Sequence, residues 1–315
     1  MPSSRHLRAR FSVKCDFCFR QCEIPPSGRG WCAVRVNRGG AIRSLQGHRL
    51  AALAIDPVEK KPLHHFLPGS LTLSLAQCGC SFDCDFCQNA DIAKALVAGE
   101  EASPPSIVTL ALEKDLPSIS FTYTEPLVWQ DYMIPVAEAA HEAGLRTVMV
   151  TNGAFSQASL ERLLPLIDAY NIDLKGDEDF YRNVCHASMA PVLDAIGRIA
   201  AHGAHLEVTT MLIEGIHDEA MVRRLSGLLE EAGVKVWHLT RFFPRRRMAR
   251  CQATGEECLD RLYAVASEGN IPHIYKGNTM YPVPMRCPSC GKVLERMAFD
   301  GRCPHCGASI YGLWS

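Results

Sequence analysis

The sequence lacks the features that mark a membrane or secreted protein. No apolar run is long enough to cross a bilayer, and no apolar segment follows the charged stretch MPSSRHLRARF, so we expect neither a membrane span nor a secretory signal. It also lacks an excess of either charge, because 33 basic residues are matched by 34 acidic ones, and no overall field attracts nucleic acid or an acidic membrane. These absences predict a cytoplasmic protein with no membrane partner.

The run Arg245–Arg247, with Arg241 and Arg250 nearby, is the local departure from this charge balance. Arginine runs of this kind are more often a solvated surface than a specific anion site. We therefore interpret the run as surface, and a role in binding nucleic acid or another anion stays the alternative.

Cysteine, by contrast, is abundant, with 15 residues in a chain of 315. Because thiols are kept reduced in the cytosol, we do not expect these residues to form disulfides. Twelve of them fall into three clusters of four, which indicates metal sites. The clusters are Cys15, Cys18, Cys22 and Cys32; Cys78, Cys80, Cys84 and Cys87; and Cys287, Cys290, Cys303 and Cys306.

Segments with the pattern of buried strands alternate with helical segments between about residues 71 and 280. The predicted strands are 71–77, 118–123, 147–152, 170–175, 206–213, 234–242 and 272–277. The predicted helices are 129–143, 156–167, 191–202, 218–232 and 256–268. This alternation predicts an α/β fold with a parallel sheet, closed into a complete or partial barrel or left open. In each case polar side chains at the carboxyl ends of the strands should form the site.

Two differently composed segments flank this region. Residues 1–47 are rich in Cys, Gly and Arg and lack periodicity, so we expect a small metal-stapled unit there. Two prolines in PVPMRCPSCGK mark a linker before a second compact module. The predicted division is therefore a Cys-rich unit at 1–47, an α/β domain at 48–281 and a metal module at 282–315.

The C-terminal cluster has the spacing of a structural zinc site. Cys287 and Cys290 form one Cys-x2-Cys pair, Cys303 and Cys306 form another, and a glycine follows each pair. Four thiolates that close a tetrahedron leave no open position for catalysis. Because so short a module has too small a core to fold alone, metal binding would supply its folding energy. The pattern predicts a zinc ribbon, with iron as the less favoured metal.

The N-terminal cluster, Cys15, Cys18, Cys22 and Cys32, falls within 18 residues and has uneven spacing. Four cysteines so close together predict the ligands of one metal centre. Paired knuckles favour zinc, whereas iron–sulfur clusters accept irregular spacings. The identity of this centre, zinc or iron–sulfur, stays open, with a slight preference for zinc and a redox role as a further alternative.

The middle cluster, in CSFDCDFCQN, differs because one of its four cysteines is not an expected ligand. Cys78 ends an apolar strand, and we interpret it as a small buried residue. Cys80, Cys84 and Cys87 remain, in a loop before a helix expected near Ala90. Three thiolates can hold three irons of a four-iron cluster and leave the fourth iron exchangeable, as in a centre that binds substrate or cofactor.

This Cys-x3-Cys-x2-Cys motif, with Phe86 before its last cysteine, follows a strand of the α/β fold and resembles the radical S-adenosylmethionine (SAM) superfamily. The chain is similar to activating enzymes of glycyl-radical enzymes such as pyruvate formate-lyase, because CQN, TEP, TNG and DLK occur in the same order. Over nearly its whole length it resembles more closely the radical SAM member of the AmmeMemoRadiSam set. That likeness lies in GWCAVRVN, YTEP, VTNG, NIDLKG, FYRNVC, EVTT and the closing zinc ribbon.

The resemblance implies a partial (β/α)6 TIM-type barrel that binds a [4Fe–4S] cluster and SAM. One electron, from a donor of the flavodoxin or ferredoxin type, would cleave SAM to methionine and a 5′-deoxyadenosyl radical that abstracts a substrate hydrogen. The implied cluster ligands are Cys80, Cys84 and Cys87. The implied contacts with SAM are Phe86, Asn89, Thr124, Glu125, Asn152, Asp173 and Lys175.

The polar residues among these contacts also have structural interpretations. Glu125 precedes a proline, as at a helix start, and Asn152-Gly153 is a common turn. Asp173 and Lys175 alternate on one face of a strand and form an ion pair in the simpler interpretation. Their shared location at strand ends favours a cofactor role for the set.

The chain departs from these relatives at three places. Val150 replaces the Asp before Thr-Asn-Gly of the activating enzymes, Phe243 replaces a His of the nearer family, and the tract that follows is RRRM. His238, in a strand interior, is not expected to replace that His. Cys185 follows the DLK strand, and its approach to the site stays open, with a slight preference for a structural role. The substrate stays open between a glycyl-radical protein, RNA or a nucleobase, and a small molecule. A non-catalytic metal-cluster protein is the alternative from another class.

Overall fold

The structure, a computed structural model, describes residues 11–295 and 300–314. The stretch MPSSRHLRAR, in which no secretory signal is expected, lies outside the described residues, as do residues 296–299 and 315 of the predicted ribbon. The chain divides into two units. Unit one comprises Met1–Ile55, Thr72–Asp83 and Cys87–Asp168, and unit two comprises Asp56–Leu71, Cys84–Phe86 and Ala169–Ser315. These units cut across the predicted division at residues 47 and 281, which stays a prediction.

Unit one is built around three parallel strands. Assigned by most of their residues, its strands are β1 (Val13–Lys14), β2 (Glu23–Ile24), β3 (Arg35–Arg38), β4 (Ala41–Ser44), β5 (Arg49–Leu50), β6 (Ala52–Pro57), β7 (Leu71–Ala76), β8 (Glu100–Glu101), β9 (Ser118–Phe121) and β10 (Arg146–Thr151). Its helices are α1 (Ala90–Ala93), α2 (Pro104–Glu113), α3 (Gln130–Glu142) and α4 (Gln157–Leu163). Strand β9 pairs in parallel with both β7 and β10, so that Ser118 lies opposite Thr72 and Arg146. Short antiparallel pairs, β1 with β2 and β3 with β4, form the N-terminal segment.

In its described residues, unit two contains four parallel strands, β11 (Ala169–Asp173), β12 (His205–Leu212), β13 (Val236–Arg241) and β14 (His273–Gly277). Its helices are α5 (Glu178–Phe180), α6 (Ala190–His202), α7 (Glu219–Glu231) and α8 (Glu256–Ala266). The strands pair in chain order, and most residues of β11, β12 and β13 are buried, as expected of parallel strands covered on both faces. Within the described parts of the chain, no helix is long and apolar enough to cross a bilayer.

The predicted α/β fold with a parallel sheet is confirmed. All seven predicted strands occur, with ends that differ by at most two residues, and all five predicted helices occur. One of these, predicted to reach residue 167, ends earlier and continues as the 3-10 turn Leu164–Leu166. Helix α2 was not predicted, because Pro104-Pro105 looks like a break. Ser103 caps this helix, and the prolines occupy its first turn, where an amide donor has no helical partner.

A buried carboxylate, Glu207 of β12, ties several segments of unit two together. Its oxygens accept hydrogen bonds from the amides of His64 and His65, at 3.0 and 2.7 Å, and lie 2.9 and 2.6 Å from ring nitrogens of His205 and His238. Burial alone raises the pKa of a carboxyl group, but the two histidine rings hold the Glu207 pKa well below its ordinary value. The EVTT segment is therefore the centre of a buried polar network.

The C-terminal segment packs on the core of unit two. Met285 and Ile310 are buried in one cluster with Val236 of β13 and Tyr275 of β14. Near the end of the described chain, Leu313 exchanges backbone hydrogen bonds of 2.8 and 2.7 Å with residues 65 and 67. The predicted metal module thus has an apolar support beyond its own few residues, which helps a module of this size to fold.

Candidate metal centres and cofactor site

The cysteine segment begins after β7 at a closely packed glycine. Gly79 has φ +107°, and a Cβ atom at this position would lie 2.6 Å from a methyl carbon of Val34 and 3.0 Å from one of Val128. The preceding residue, Cys78, is buried, and the Gln46 side chain bonds both its amide and its carbonyl. The predicted burial of Cys78 is confirmed, and packing on both sides holds the start of the segment in place.

In unit one, Cys80 is half-buried and lies beside Asn152, which follows β10. The side-chain nitrogen Nδ2 of Asn152 is 3.8 Å from Cys80 Sγ and donates to Ser81 Oγ at 3.0 Å. The amide nitrogen of Phe82 is 3.4 Å from the same sulfur. Such donors stabilise a thiolate. The structure therefore brings one predicted cluster ligand together with one predicted cofactor residue.

Glu125 is buried, and protein donors surround its carboxylate. It caps the 3-10 helix Pro126–Trp129, because the Leu127 amide donates to it at 3.1 Å. It also accepts hydrogen bonds from the Thr151 hydroxyl at 2.6 Å and from the Asn152 amide at 2.8 Å. The helix-start interpretation is confirmed. The contact with SAM stays a prediction, and a ligand would have to compete with these donors.

Thr124 and Asn89 bond to nearby backbone carbonyls of unit one. The Thr124 hydroxyl donates to the Gln77 carbonyl, and the Asn89 side chain donates to the Tyr123 carbonyl. Cys87, two residues before Asn89, is half-buried. These bonds brace both ends of the cysteine segment against the residues that follow β9. The contacts of Thr124 and Asn89 with SAM stay predictions.

In unit two, Cys84 is buried against Cys185 of the FYRNVC motif. The Cys185 thiol, together with burial, holds the Cys84 pKa well above its ordinary value. Lys175 Nζ lies 2.8 Å from Asp173 Oδ2. Burial opposes the charge of Lys175, but the negative charge of the Asp173 carboxylate, with that of Cys84 and Cys185 in their thiolate forms, outweighs it and raises the Lys175 pKa well above its ordinary value. The predicted ion pair is confirmed, and it lies within electrostatic reach of a predicted cluster ligand.

Phe86 is held by aromatic contacts in unit two. Its ring stacks on Phe180, with centroids 5.9 Å apart and planes 25° apart. Phe180 in turn contacts His217, at 4.8 Å between ring centroids, and Lys175 Nζ lies 5.9 Å from the Phe86 ring. The ring therefore has a defined orientation. Its role behind an adenine stays a prediction.

Two arginines of the run interpreted as surface bind the cysteine segment. Arg246 donates to the Cys84 carbonyl at 2.7 Å, and Arg247 lies 2.8 Å from the Asp85 carboxylate, which His186 also contacts. Arg247 is half-exposed, as expected of a surface run, but both arginines also pair with the cysteine segment, a role that the sequence did not indicate. Sequence reasoning missed this role because the partners are 162 residues apart and no local pattern links them.

The two positions considered for the histidine of the nearer family differ in environment. Phe243 is exposed, and the Arg241 guanidinium carbon lies 5.4 Å from its ring centroid. His238 is buried in β13 and bonded to Glu207, so its predicted place in a strand interior is confirmed. Because its ring is committed to this carboxylate, His238 is a poor replacement for an exposed histidine at 243.

The four N-terminal cysteines lie together in unit one. Cys15 and Cys22 close the β1–β2 hairpin, where the Cys15 amide donates to the Cys22 carbonyl at 2.9 Å. Cys18 lies in the loop of this hairpin, and Cys32 lies in the turn before β3. Burial raises the Cys18 pKa to about 12, and the three other thiols add to the rise. Backbone amides donate to the sulfurs of Cys15, Cys18 and Cys32. This grouping is the one expected of metal ligands.

The four C-terminal cysteines form a closed set in unit two, with all sulfurs within 4.8 Å of one another. Cys287 Sγ is 3.6 Å from Cys306 Sγ, and Cys290 Sγ is 3.7 Å from Cys303 Sγ. Four thiolates bound at about 2.3 Å to one tetrahedral ion would be about 3.8 Å apart. Burial raises the Cys287 pKa, but nearby amides and thiols outweigh it and lower that pKa to about 6. The set fits a single tetrahedral metal ion.

Comparison with known proteins places these sites in a family. A sequence profile described as "Radical SAM superfamily" matches residues 75–225, which run from the end of β7 into α7. A relative along almost the whole chain is "Uncharacterized protein MJ0808" of Methanocaldococcus jannaschii, with 35% identity over 95% of this chain and 95% of that protein.

Two crystal structures of SuiB from Streptococcus suis share the fold. The structure bound to S-adenosylmethionine has a TM-score of 0.53 and 14% identity, over 66% of this chain and 52% of SuiB. The structure bound to precursor peptide SuiA has a TM-score of 0.53 and 13% identity, over 71% of this chain and 52% of SuiB. The chain thus spans about half the length of SuiB, and at this identity the likeness concerns the fold.

Proposed function

This chain belongs to the radical SAM superfamily, and we propose that it is an enzyme that cleaves S-adenosylmethionine reductively at a four-iron cluster held by Cys80, Cys84 and Cys87. The observation that carries the proposal is the segment after β7, which presents three thiols within eight residues. Two of these thiols have predicted cofactor residues nearby: Asn152 by Cys80 in unit one, and Lys175 by Cys84 in unit two.

The residues of this segment fit an iron–sulfur cluster. Its three predicted ligands are all thiols, the soft donors that such clusters use. The Phe82 amide and the Asn152 side chain approach Cys80 Sγ, and hydrogen bonds to sulfur tune such a cluster. When bound, the cluster supplies one electron that cleaves SAM, whose adenosyl group takes a hydrogen atom from the substrate and leaves as 5′-deoxyadenosine.

We propose that residues of unit two orient the cofactor beside Cys84. Three thiolates leave one of four irons for the amino and carboxylate groups of SAM. Lys175 offers a positive charge and Asp173 a negative one, 2.8 Å apart, so that each can bind the SAM group of opposite charge. Phe86, held by Phe180, offers a flat apolar surface for the adenine. These three side chains supply the types of contact that SAM needs.

The test is anaerobic reconstitution with ferrous iron and sulfide, addition of SAM and dithionite, and measurement of 5′-deoxyadenosine. We expect product from the native chain and from Cys251→Ser, because Cys251 is exposed and belongs to none of the three clusters. We expect none above background from Cys84→Ala, which loses a cluster ligand. A chain with a full cluster that yields no product and shows no spectral change on SAM addition would contradict the proposal.

As hydrogen donor we propose a glycyl-radical protein. The support is the order CQN, TEP, TNG and DLK, which the chain shares with activating enzymes of such proteins. The test is incubation of the reduced, SAM-loaded enzyme with a pyruvate formate-lyase type protein, with electron paramagnetic resonance (EPR) as the readout. A glycyl radical signal supports this donor. Formation of 5′-deoxyadenosine with no glycyl radical argues against it and directs the search to RNA or a small molecule.

A further inference from the structure

The four N-terminal cysteines are grouped, but their sulfur atoms are more widely spaced than those of the C-terminal set. All four lie in residues that the structure describes, yet within those residues the C-terminal set is the only group of three or more ligand atoms within 4.8 Å of one another. One tetrahedral ion requires thiolates about 3.8 Å apart. In an iron–sulfur cluster the thiolates bind to more than one iron, so wider spacing is compatible.

Two cations link this N-terminal set to the Cys80 segment, within unit one. Arg20, in the loop between Cys18 and Cys22, donates from Nε to the Ser81 carbonyl at 2.6 Å. Lys94 donates from Nζ to the Cys80 carbonyl at 2.8 Å and to the carbonyl of residue 31, next to Cys32, at 3.3 Å. Arg20 therefore joins the loop that contains Cys18 and Cys22 to the Cys80 segment. Lys94 joins the residue before Cys32 to the same segment.

Aromatic contacts and a backbone hydrogen bond also lie between the N-terminal set and the Cys80 segment. The Phe19 ring lies edge-on to Phe82, with centroids 5.9 Å apart. The guanidinium carbon of Arg20 is 4.2 Å from the ring centroid of Trp31, a side chain that is 48% exposed. The Phe19 amide also donates to the Ala154 carbonyl at 3.0 Å, just after Asn152. The N-terminal set thus lies between solvent at Trp31 and the Cys80 segment.

We infer that Cys15, Cys18, Cys22 and Cys32 hold an iron–sulfur cluster that relays the reducing electron to the cluster proposed at Cys80, Cys84 and Cys87. This assignment replaces the slight preference for zinc. The relay rests on the proposed function, whereas the cluster assignment does not.

The relay is balanced in electrons. A low-potential protein donor of the flavodoxin or ferredoxin class loses one electron, and the N-terminal cluster gains it. That cluster returns to its oxidised state when the electron passes on, so no bond forms or breaks there. Arg20 and Lys94 place positive charge between two anionic centres, which favours the reduced state of each. These positions are the ones expected if Arg20 and Lys94 assist electron transfer and do not only stabilise the hairpin.

Metal analysis and spectroscopy test the cluster assignment, and neither measurement requires catalytic activity. A full-length chain with Cys80, Cys84 and Cys87 changed to alanine is loaded with ferrous iron and sulfide. We expect it to keep an iron–sulfur cluster of about two to four irons by Mössbauer spectroscopy, and to lose it when Cys15→Ala and Cys18→Ala are added. Zinc at the N-terminal site in place of iron overturns the assignment.

A second variant keeps this test decisive if the triple variant does not fold. Cys15→Ala with Cys18→Ala in the otherwise native chain should lose about a third to a half of its iron, because about two to four irons leave and about four stay, and should keep its C-terminal zinc. Cys251→Ser, at an exposed cysteine, is the matched control and should keep both metals. Unchanged iron content in the double variant contradicts the assignment.

The relay is tested by comparing two reductants in the Cys15→Ala, Cys18→Ala chain. We expect 5′-deoxyadenosine formation to fall at least about tenfold with reduced flavodoxin but less than about threefold with dithionite, a small reductant that does not need the relay. Arg20→Gln should lower the reduction potential of the N-terminal cluster in an EPR titration, because it removes a positive charge. Equal rates with flavodoxin in both chains overturn the relay.

Failure of the relay and failure of the proposed function give different results. If the native chain makes no 5′-deoxyadenosine with either reductant, the proposed function fails, while the Mössbauer result still decides the N-terminal assignment. If the native chain is active and the double variant is equally active with flavodoxin, the proposed function stands and the relay is wrong.

Discussion

The two outer cysteine sets have the same four ligands in different surroundings. In the C-terminal set the paired sulfurs are 3.6 and 3.7 Å apart, and two thiols are exposed. In the N-terminal set three thiols are buried, the sulfurs are more widely spaced, and Arg20 and Lys94 contact the segment of Cys80. A count of cysteines therefore does not decide the metal. The proposed difference in metal rests instead on the spacing of the sulfurs and on the groups beside them.

Backbone geometry explains part of this difference. In the C-terminal set the Gly291 amide bonds the Cys287 carbonyl and the Gly307 amide bonds the Cys303 carbonyl, both at 2.8 Å. Two such equal knuckles bring four sulfurs to one point, as a structural zinc site requires. The N-terminal set comes from a hairpin and a separate turn, which do not repeat one another. The comparison teaches that two repeated Cys-x2-Cys turns favour a single ion. Thiols supplied by unlike elements, such as a hairpin and a separate turn, are compatible with a cluster.

The largest expected effect is that single substitutions in the two outer cysteine sets remove different metals. Cys303→Ala should lose on the order of one zinc per chain, because the remaining thiolates cannot close the tetrahedron, and should keep its iron. Cys18→Ala should lose iron and keep zinc. Metal analysis measures both, and hydrogen exchange of residues 285–310 reports the order of the ribbon. Loss of both metals from either variant would show that the two sets are not independent.

The next effect concerns Glu207, which accepts a hydrogen bond from the His65 amide. The His65 carbonyl in turn bonds Leu313, so that Glu207 supports the segment on which the C-terminal set packs. Glu207→Gln should cost about 2–4 kcal/mol of unfolding free energy, because a buried charge with four donors loses its charge-assisted bonds. Denaturant unfolding measures this value, with Glu231→Gln, at an exposed position, as the control. A loss of unfolding free energy as small as that of the control would mean that the hydrogen bonds of Glu207 contribute little to stability.

Acid should reveal the same network. Because the folded-state Glu207 pKa is depressed, its contribution to stability is fully present above the unfolded value of about 4.3 and is lost as pH falls through the folded value. The native chain should therefore lose stability more steeply below about pH 4.3 than Glu207→Gln does. Unfolding free energies at several pH values compare the slopes. Parallel curves for the two chains are the result that contradicts this expectation.

A smaller effect is expected where the N-terminal segment packs on the Cys80 segment. Gly79→Ala should cost about 2 kcal/mol, because its Cβ would lie 2.6 Å from Val34 at a φ of +107°. The substitution should also alter the spectrum of the proposed cluster, because the neighbouring Cys80 is one of its proposed ligands. Gly144→Ala is the matched control, with φ +76° but open space around its Cβ, so it adds strain without a clash. Equal costs for the two variants would mean that the contact with Val34 is unimportant.

The smallest effect is expected for Arg247, which pairs with Asp85 of the cysteine segment at a half-exposed position. Arg247→Ala should cost about 0.5 kcal/mol, because solvent screens the pair, and should raise the salt sensitivity of cluster retention only slightly. Thermal unfolding with Arg250→Ala, also exposed, as control measures it. A cost above about 2 kcal/mol would show that the pair is stronger than its exposure suggests.

Much of the fold followed from local patterns in the sequence, and the site followed in part. The seven strands were predicted because short apolar runs and turn residues alternate regularly. Helix α2 was missed because two prolines in a first turn resemble a break. Arg246, bonded to the Cys84 carbonyl, was not predicted as a neighbour of the segment, and the approach of Cys185, which packs on Cys84, was left open. Their partners are about a hundred or more residues away, where local periodicity carries no information.

The sequence by itself determined which residues can be ligands, the α/β order of the elements and the family, because each depends on spacing between residues close in the chain. Only the tertiary structure decided what surrounds each sulfur. Arg20 meets the Ser81 carbonyl across 61 residues, and Arg246 meets the Cys84 carbonyl across 162. Such contacts arise when separate elements pack, and the same packing set the spacing of the sulfurs in the N-terminal and C-terminal sets.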